Sequence, residues 1–154
     1  MAWANSKVFV ATIEDALENT IALAVAADAH KAALYDNDIT PDNTVSAANT
    51  AYNAGQWTAA GNEVSDGTNW DAGGEPLTTV TFSPTSNVLK FDADNTPQGG
   101  ASCTLANVFG CLVYDDTVAD RGLSYHYFGG SNGVTGGTFT VIWHASGIFT
   151  ITLT

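Results

Sequence analysis

Residues 136–154 read GGTFTVIWHASGIFTITLT, and the alternation within them decides the fold class. Phe139, Val141 and Trp143 fall on one side of an extended chain, while Thr138, Thr140, Ile142 and His144 fall on the other. After a break at Ala145, Ser146 and Gly147, Phe149, Ile151 and Leu153 alternate with Thr150, Thr152 and Thr154. A period of two with one apolar side is the pattern of a half-buried antiparallel hairpin. Such a hairpin is expected to close the domain, with its threonines facing solvent.

Further strand signals lie upstream. LTTVTFSP (77–84), NVLKFDAD (87–94), TLANVFGCLVYDD (104–116) and LSYHYFGG (123–130) are separated by Pro, Gly, Asn and Asp clusters. With the two closing segments, six short strands predict a mainly β chain, an antiparallel β-sandwich or barrel-like domain. The glycine-rich FGGSNGVTGG (128–137) reads as a flexible loop joining two strands.

The N-terminal third differs. Ser6 to Glu18 reads as a helix capped by Ser6 and ended at Asn19, with Phe9, Ile13 and Leu17 forming one apolar stripe. TIALAVAADAHKAALY (20–35) is in conflict with itself. Its alanines favour helix, yet Ile21, Leu23 and Val25 alternate as in a strand. DNDITPDNTV (36–45) is a turn cluster around Pro41. SAANTAYNAGQW (46–57) predicts a short helix ending at Gly55. NEVSDGTNWDAGGEPL (62–77) reads as a loop anchored by Trp70. The expected organisation is an N-terminal arm over residues 1–6 and a single β-rich domain over 7–154.

Composition narrows the function. The net charge is −12, from four basic residues against 16 acids in 154 residues. Nucleic-acid binding needs clustered Lys and Arg to neutralise phosphates. Four scattered cations (Lys7, Lys31, Lys90, Arg121) exclude it, and anionic membranes are disfavoured for the same reason. The acidity serves solubility or docks onto a basic partner. No secretion signal or 20-residue apolar span is visible, so a soluble chain made in the host cytoplasm is expected. Cys103 and Cys111, eight apart on one strand, would lie about 26 Å from each other, too far to bond. They read as small buried hydrophobes.

Chemistry is sparse. Ser146 follows His144 without a Gly-x-Ser-x-Gly elbow, and no His-x-x-x-His or Cys-x-x-Cys pair offers a metal site. DADNT (92–96) spaces oxygens like the start of a calcium loop but lacks its glycine and glutamate, and reads as a turn. No catalytic residue, metal or cofactor is predicted. Among the aromatics, Trp70, Tyr125 and Tyr127 are candidates for a glycan-stacking platform, against ordinary core packing. Trp3, in the arm, either packs back onto the domain or anchors a neighbouring molecule.

Four ordered pieces carry a resemblance: HKAALYDNDITPDNTV, NEVSDGTNWDAGGEPL, LVYDDT and GGTFTVIWHASGIFTITL. Together they resemble a group of small tailed-bacteriophage virion proteins, over roughly residues 7 to 153. The matching positions Lys31, Leu34, Tyr35, Thr40, Pro41, Asn62, Glu63, Val64, Gly67, Ala72, Gly73, Gly74 and Leu77 look like fold determinants. The chain departs from the group in having ALAVAADA where relatives tend to carry Asp and Thr. The resemblance implies a helix ending near Asn19 and a first strand from about His30 to Tyr35. It also implies a non-enzymatic virion structural protein. Such a protein would decorate the outer surface of the head, with the major capsid protein lattice as partner and self-association, expected as a trimer. A tail or head–tail component, or a carbohydrate-binding module displayed on the virion, are the alternatives.

Overall fold

The computed structural model describes residues 3–23, 28–97 and 102–154. Among these, eight strands form two antiparallel sheets, and α-helix is confined to two short segments. In chain order the elements are β1 (Lys7–Val8), α1 (Val10–Leu17), β2 (His30–Tyr35), α2 (Ala47–Thr50), a 3-10 turn at Gly55–Trp57, β3 (Glu75–Pro76), β4 (Thr81–Thr85), β5 (Val88–Asp92), β6 (Cys103–Asp115), β7 (Arg121–Gly137) and β8 (Phe149–Thr152). The larger sheet has the order β1-β7-β6-β2-β3, the smaller β4-β5-β8.

The sequence of β2 explains how these layers stack. HKAALY is buried almost throughout, because both faces of its sheet are covered. Successive strand residues point to opposite faces. Ala32 and Leu34 join Cys111 and Val113 of β6 in a core shared with Phe91 of β5 and Phe149 of β8. Ala33 and Tyr35 join Leu112 and Tyr114 in a second core with Trp3, Phe9, Trp57 and Tyr125. The small sheet therefore covers one face, and the N-terminal arm with Phe9, Ile39, Tyr52 and Trp57 covers the other. At the β6–β7 pairing, Tyr114 faces Gly122 and Val113 faces Ser124, so Leu123 is the extra residue of a bulge.

The helix conflict resolves as the resemblance implied. Asn19 takes a left-handed φ of 58° after α1. Thr20 N–H then donates to the Asp15 carbonyl and Asn19 N–H to that of Ala16, a complete Schellman ending. Ile21 and Leu23 are buried outside any helix, and β2 starts at His30. Val25 lies outside the described residues.

Other expectations need correction. The helix does not start at Ser6, because Lys7 and Val8 pair with Tyr125 and Ser124 at the sheet edge. Ser6 caps nothing; its hydroxyl accepts the Tyr127 N–H at 3.0 Å. The buried face of α1 is Ala11, Thr12 and Asp15, while Leu17 is 84% exposed. Residues 46–57 form a single helical turn and a separate 3-10 turn, not one helix ending at Gly55. Residues 128–137 are not a loop: they continue β7, paired with the first half of β6 through several register shifts.

The closing hairpin also dissolves. Residues 138–144 contribute only a bridge between Val141 and Thr96. β8 pairs instead with β5, Phe149 opposite Phe91, their rings stacked at 5.0 Å. The alternation of residues 149–152 was a true strand signal, since Phe149 is buried and Thr150 and Thr152 are exposed. Local pattern carried no information on which strand would be its neighbour.

Candidate functional site

Residues from three of the four pieces behind the resemblance meet in space. Tyr35, at the end of β2, bridges to Glu63. The Glu63 carboxylate accepts the Gly73 N–H at 2.7 Å through Oε1 and the Tyr52 hydroxyl at 2.8 Å through Oε2. Tyr114 donates its hydroxyl to the Gly73 carbonyl, and its ring stacks on Tyr52 at 5.1 Å. Val64 N–H donates to Leu34, and Leu77 N–H to His30. Gly74 has φ of 78°, and a Cβ there would lie 2.2 Å from the Ala32 carbonyl oxygen. Residues 62–77 are thus strapped across β2 by polar bonds. Glu63 is the hub; in the sequence it is one of four acids in residues 62–77, and nothing local set it apart from Asp66, Asp71 and Glu75.

A second group gathers where β2 begins and β6 ends. His30 and Asp115 are register partners, and both are buried. Asp115 Oδ1 accepts the N–H groups of Thr117 and Val118 at 2.8 and 3.1 Å. Its Oδ2 and both His30 ring nitrogens are buried without a hydrogen bond. Burial raises Asp115 to about 6, against the pull of those two N–H groups, and the nearby Asp28 carboxyl adds to the rise. Burial lowers His30. Among the described residues, no three His, Cys, Asp or Glu side chains could hold a metal ion together.

One serine and one histidine do touch. Ser124 Oγ lies 2.9 Å from His126 Nε2. Ser124 is wholly buried, and burial lowers His126 to about 4. A buried hydroxyl beside so weak a base has neither the access nor the proton affinity of an activated nucleophile. His126 packs edge-on against Trp143 at 5.4 Å, beside a cavity of about 210 Å³ lined also by Tyr127, Ile142 and His144. His144 accepts the Ser146 backbone N–H through Nδ1, a turn contact. In DADNT, Asp92 pairs with Lys90, Asp94 accepts the Thr79 hydroxyl and Asn95 accepts the Trp143 N–H, as a turn would have it.

The predicted aromatic platform is not assembled. Trp70 lies in the core between the sheets, its indole donating to the Phe139 carbonyl. Tyr125 lies in the other core, across the larger sheet. Tyr127 is half-buried and stacks on Trp3 at 6.4 Å. Trp3 is wholly buried, so of its two expected roles the structure has the packing one. Cys103 and Cys111 are free and buried on β6, and burial pushes the Cys111 thiol up.

Compared with known proteins, the chain matches no family model, no curated protein and no solved structure.

Proposed function

We propose that this chain is a non-enzymatic structural protein of a tailed-bacteriophage virion, placed on the outer surface of the head. The observation that carries the reading is the Glu63 cluster. Glu63, Gly73 and Tyr114 meet there with Tyr35, from three of the four resembling pieces, and with Tyr52 from outside them. Motifs used in this way preserve a shape, and a decoration protein works by shape. A ligand that binds only the assembled shell stabilises it by mass action. The acid excess, −12 overall, suits docking onto a basic patch of the capsid lattice. Self-association, with a trimer as the expectation, would multiply modest contacts.

Quantitative mass spectrometry of purified virions, split into heads and tails, tests this. Tens to hundreds of copies tracking with heads support decoration. A few copies tracking with tails replace it with a tail or head–tail role, and absence from both removes the virion reading. The carbohydrate-binding alternative loses its footing, since Trp70 and Tyr125 are buried on opposite faces of one sheet.

A further inference from the structure

Helix α1 is built inside out. At about 100° per residue, Val10, Ile13 and Leu17 share a sector roughly 60° wide. That sector faces solvent: Val10 is 59% exposed and Leu17 84%, with Ile13 half-buried beside them. Among the described residues four large apolar side chains are this open, and two stand on this one eight-residue helix. The inward side is small and polar. The Thr12 hydroxyl donates to the carbonyls of Gly122 and Leu123 at 3.0 and 2.9 Å. Asp15 forms an ion pair with Arg121. A surface helix ordinarily turns its apolar stripe to the core and its charges to water. Here the body holds the helix by polar bonds and leaves the apolar stripe unused.

We propose that the Val10–Ile13–Leu17 face is a docking surface for a protein partner bearing an apolar strip bordered by Lys or Arg. Charge selects that occupant. Glu14 and Glu18 are exposed along the stripe, and Arg121, the cation that α1 touches, is already paired with Asp15. Lys31 and Lys90 are also held in ion pairs, with Asp116 and Asp92, and the fourth cation, Lys7, is exposed on β1 before the helix begins. Two copies meeting through this face would crowd four rim carboxylates, Glu14 and Glu18 of each, against only two exposed Lys7 ammonium groups, in a chain of net charge −12. Nucleic acids and anionic lipids are repelled by the same field. A basic protein surface gains from both the rim and the stripe. The strip is only about 10 Å long, below the size of a stable interface on its own, so it acts as one contact among several. Placing that partner in the virion head rests on the function proposed above; the chemistry of the partner does not.

The test places a photoreactive p-benzoylphenylalanine at position 17 of the full chain, expressed in the infected host and irradiated. The cross-linked peptide is then identified by mass spectrometry. In parallel, Leu17→Glu and, as control, Thr150→Glu on exposed β8 are scored for occupancy on purified particles and for melting temperature. The expected result is a cross-link into an apolar segment flanked by Lys or Arg. Occupancy should fall at least tenfold for Leu17→Glu alone, with melting unchanged for both variants. A cross-link to a second copy of this chain or no cross-link overturns the proposal, as does undiminished occupancy of Leu17→Glu where the cross-linked partner is a virion protein. A cross-link into such a basic segment of a protein outside the virion keeps the docking surface and removes the decoration reading. Abundant copies on heads with no cross-link at position 17 do the reverse.

Discussion

The indole N–H of Trp3 donates to the carbonyl of Asp36 at 2.6 Å, tying the N-terminal arm to the turn that follows β2. The same ring meets Trp57 and Tyr125 edge-on, with centroids at 5.8 and 6.1 Å. Gly110 makes room for it, since a Cβ there would lie 2.6 Å from the indole. The arm is therefore part of the core. Trp3→Ala is expected to cost about 3–5 kcal/mol in chemical denaturation. Deleting Met1 to Asn5 removes the same ring, so loss of particle binding by that deletion would report a weakened fold before it reported a lost contact. A denaturation midpoint unchanged by Trp3→Ala would contradict this.

Two glycines separate conformational strain from collision. Gly61 has φ of 89° with open space around it, whereas Gly74 combines φ of 78° with the Ala32 backbone at 2.2 Å. Gly61→Ala should lose only the left-handed penalty, about 1–2 kcal/mol. Gly74→Ala must in addition push residues 62–77 off β2, and insoluble or unfolded protein is expected. Comparable soluble yields and melting temperatures for the two variants would refute the strap.

Glu63 can be tested by isostere. Glu63→Ala leaves the Gly73 N–H and the Tyr52 hydroxyl without their acceptor and should cost about 1–3 kcal/mol. Glu63→Gln keeps an oxygen for Gly73, and its amide can donate to the Tyr52 oxygen, so less than about 1 kcal/mol is expected. Equal losses for the two variants would show that the carboxylate's charge, not its geometry, matters.

Asp115 should make the native state less stable as pH rises. Its folded value of about 6 lies above its ordinary 3.8, so the fold favours the protonated acid. The penalty is absent below pH 3.8 and complete above pH 6, where it reaches about 3 kcal/mol. Asp115→Asn keeps an acceptor for Thr117 and Val118 without the charge. It should stabilise the protein near neutral pH and make little difference in acid. Urea titrations at two pH values decide it; a variant weaker than wild type at both would count against the argument.

His126 works in the opposite direction. Its folded value of about 4 lies below the ordinary 6.5, so the neutral ring is the native form. Stability should hold above pH 6.5 and fall as pH drops toward 4, by about 3 kcal/mol in all. His30, lowered by burial as well, adds to the same loss. His126→Gln is expected to flatten this acid limb by one proton's worth of slope. A limb as steep in the variant as in wild type would place the titration elsewhere.

Strand positions were legible where the pattern was local. The alternation of Phe149 and Ile151 with threonines marked β8, and the turn residues between Asp92 and Thr96 marked the end of β5. The helix end at Asn19 was legible because a short amide side chain tolerates the left-handed backbone there. The expected stripe of Phe9, Ile13 and Leu17 on α1 does not hold: Phe9 precedes the helix and is wholly buried, whereas Leu17 is 84% exposed, because periodicity does not say which way a helix turns. Arg121, 106 residues away from Asp15, settled the orientation by pairing with it. The glycan platform failed for a similar reason. Aromatic residue types alone do not show that Trp70 and Tyr125 end on opposite faces of one sheet.

By itself the sequence determined the class: composition and period-two segments leave a mainly β, acidic chain. Which strand meets which was decided only by tertiary structure. β8 lies beside β5, not beside residues 138–144, because Phe149 can stack on Phe91 while Val141 bridges to Thr96. A strand's own residues fix its two faces. Its neighbour is fixed by which edge is free and which side chains interlock across it, and both depend on segments far away in the chain.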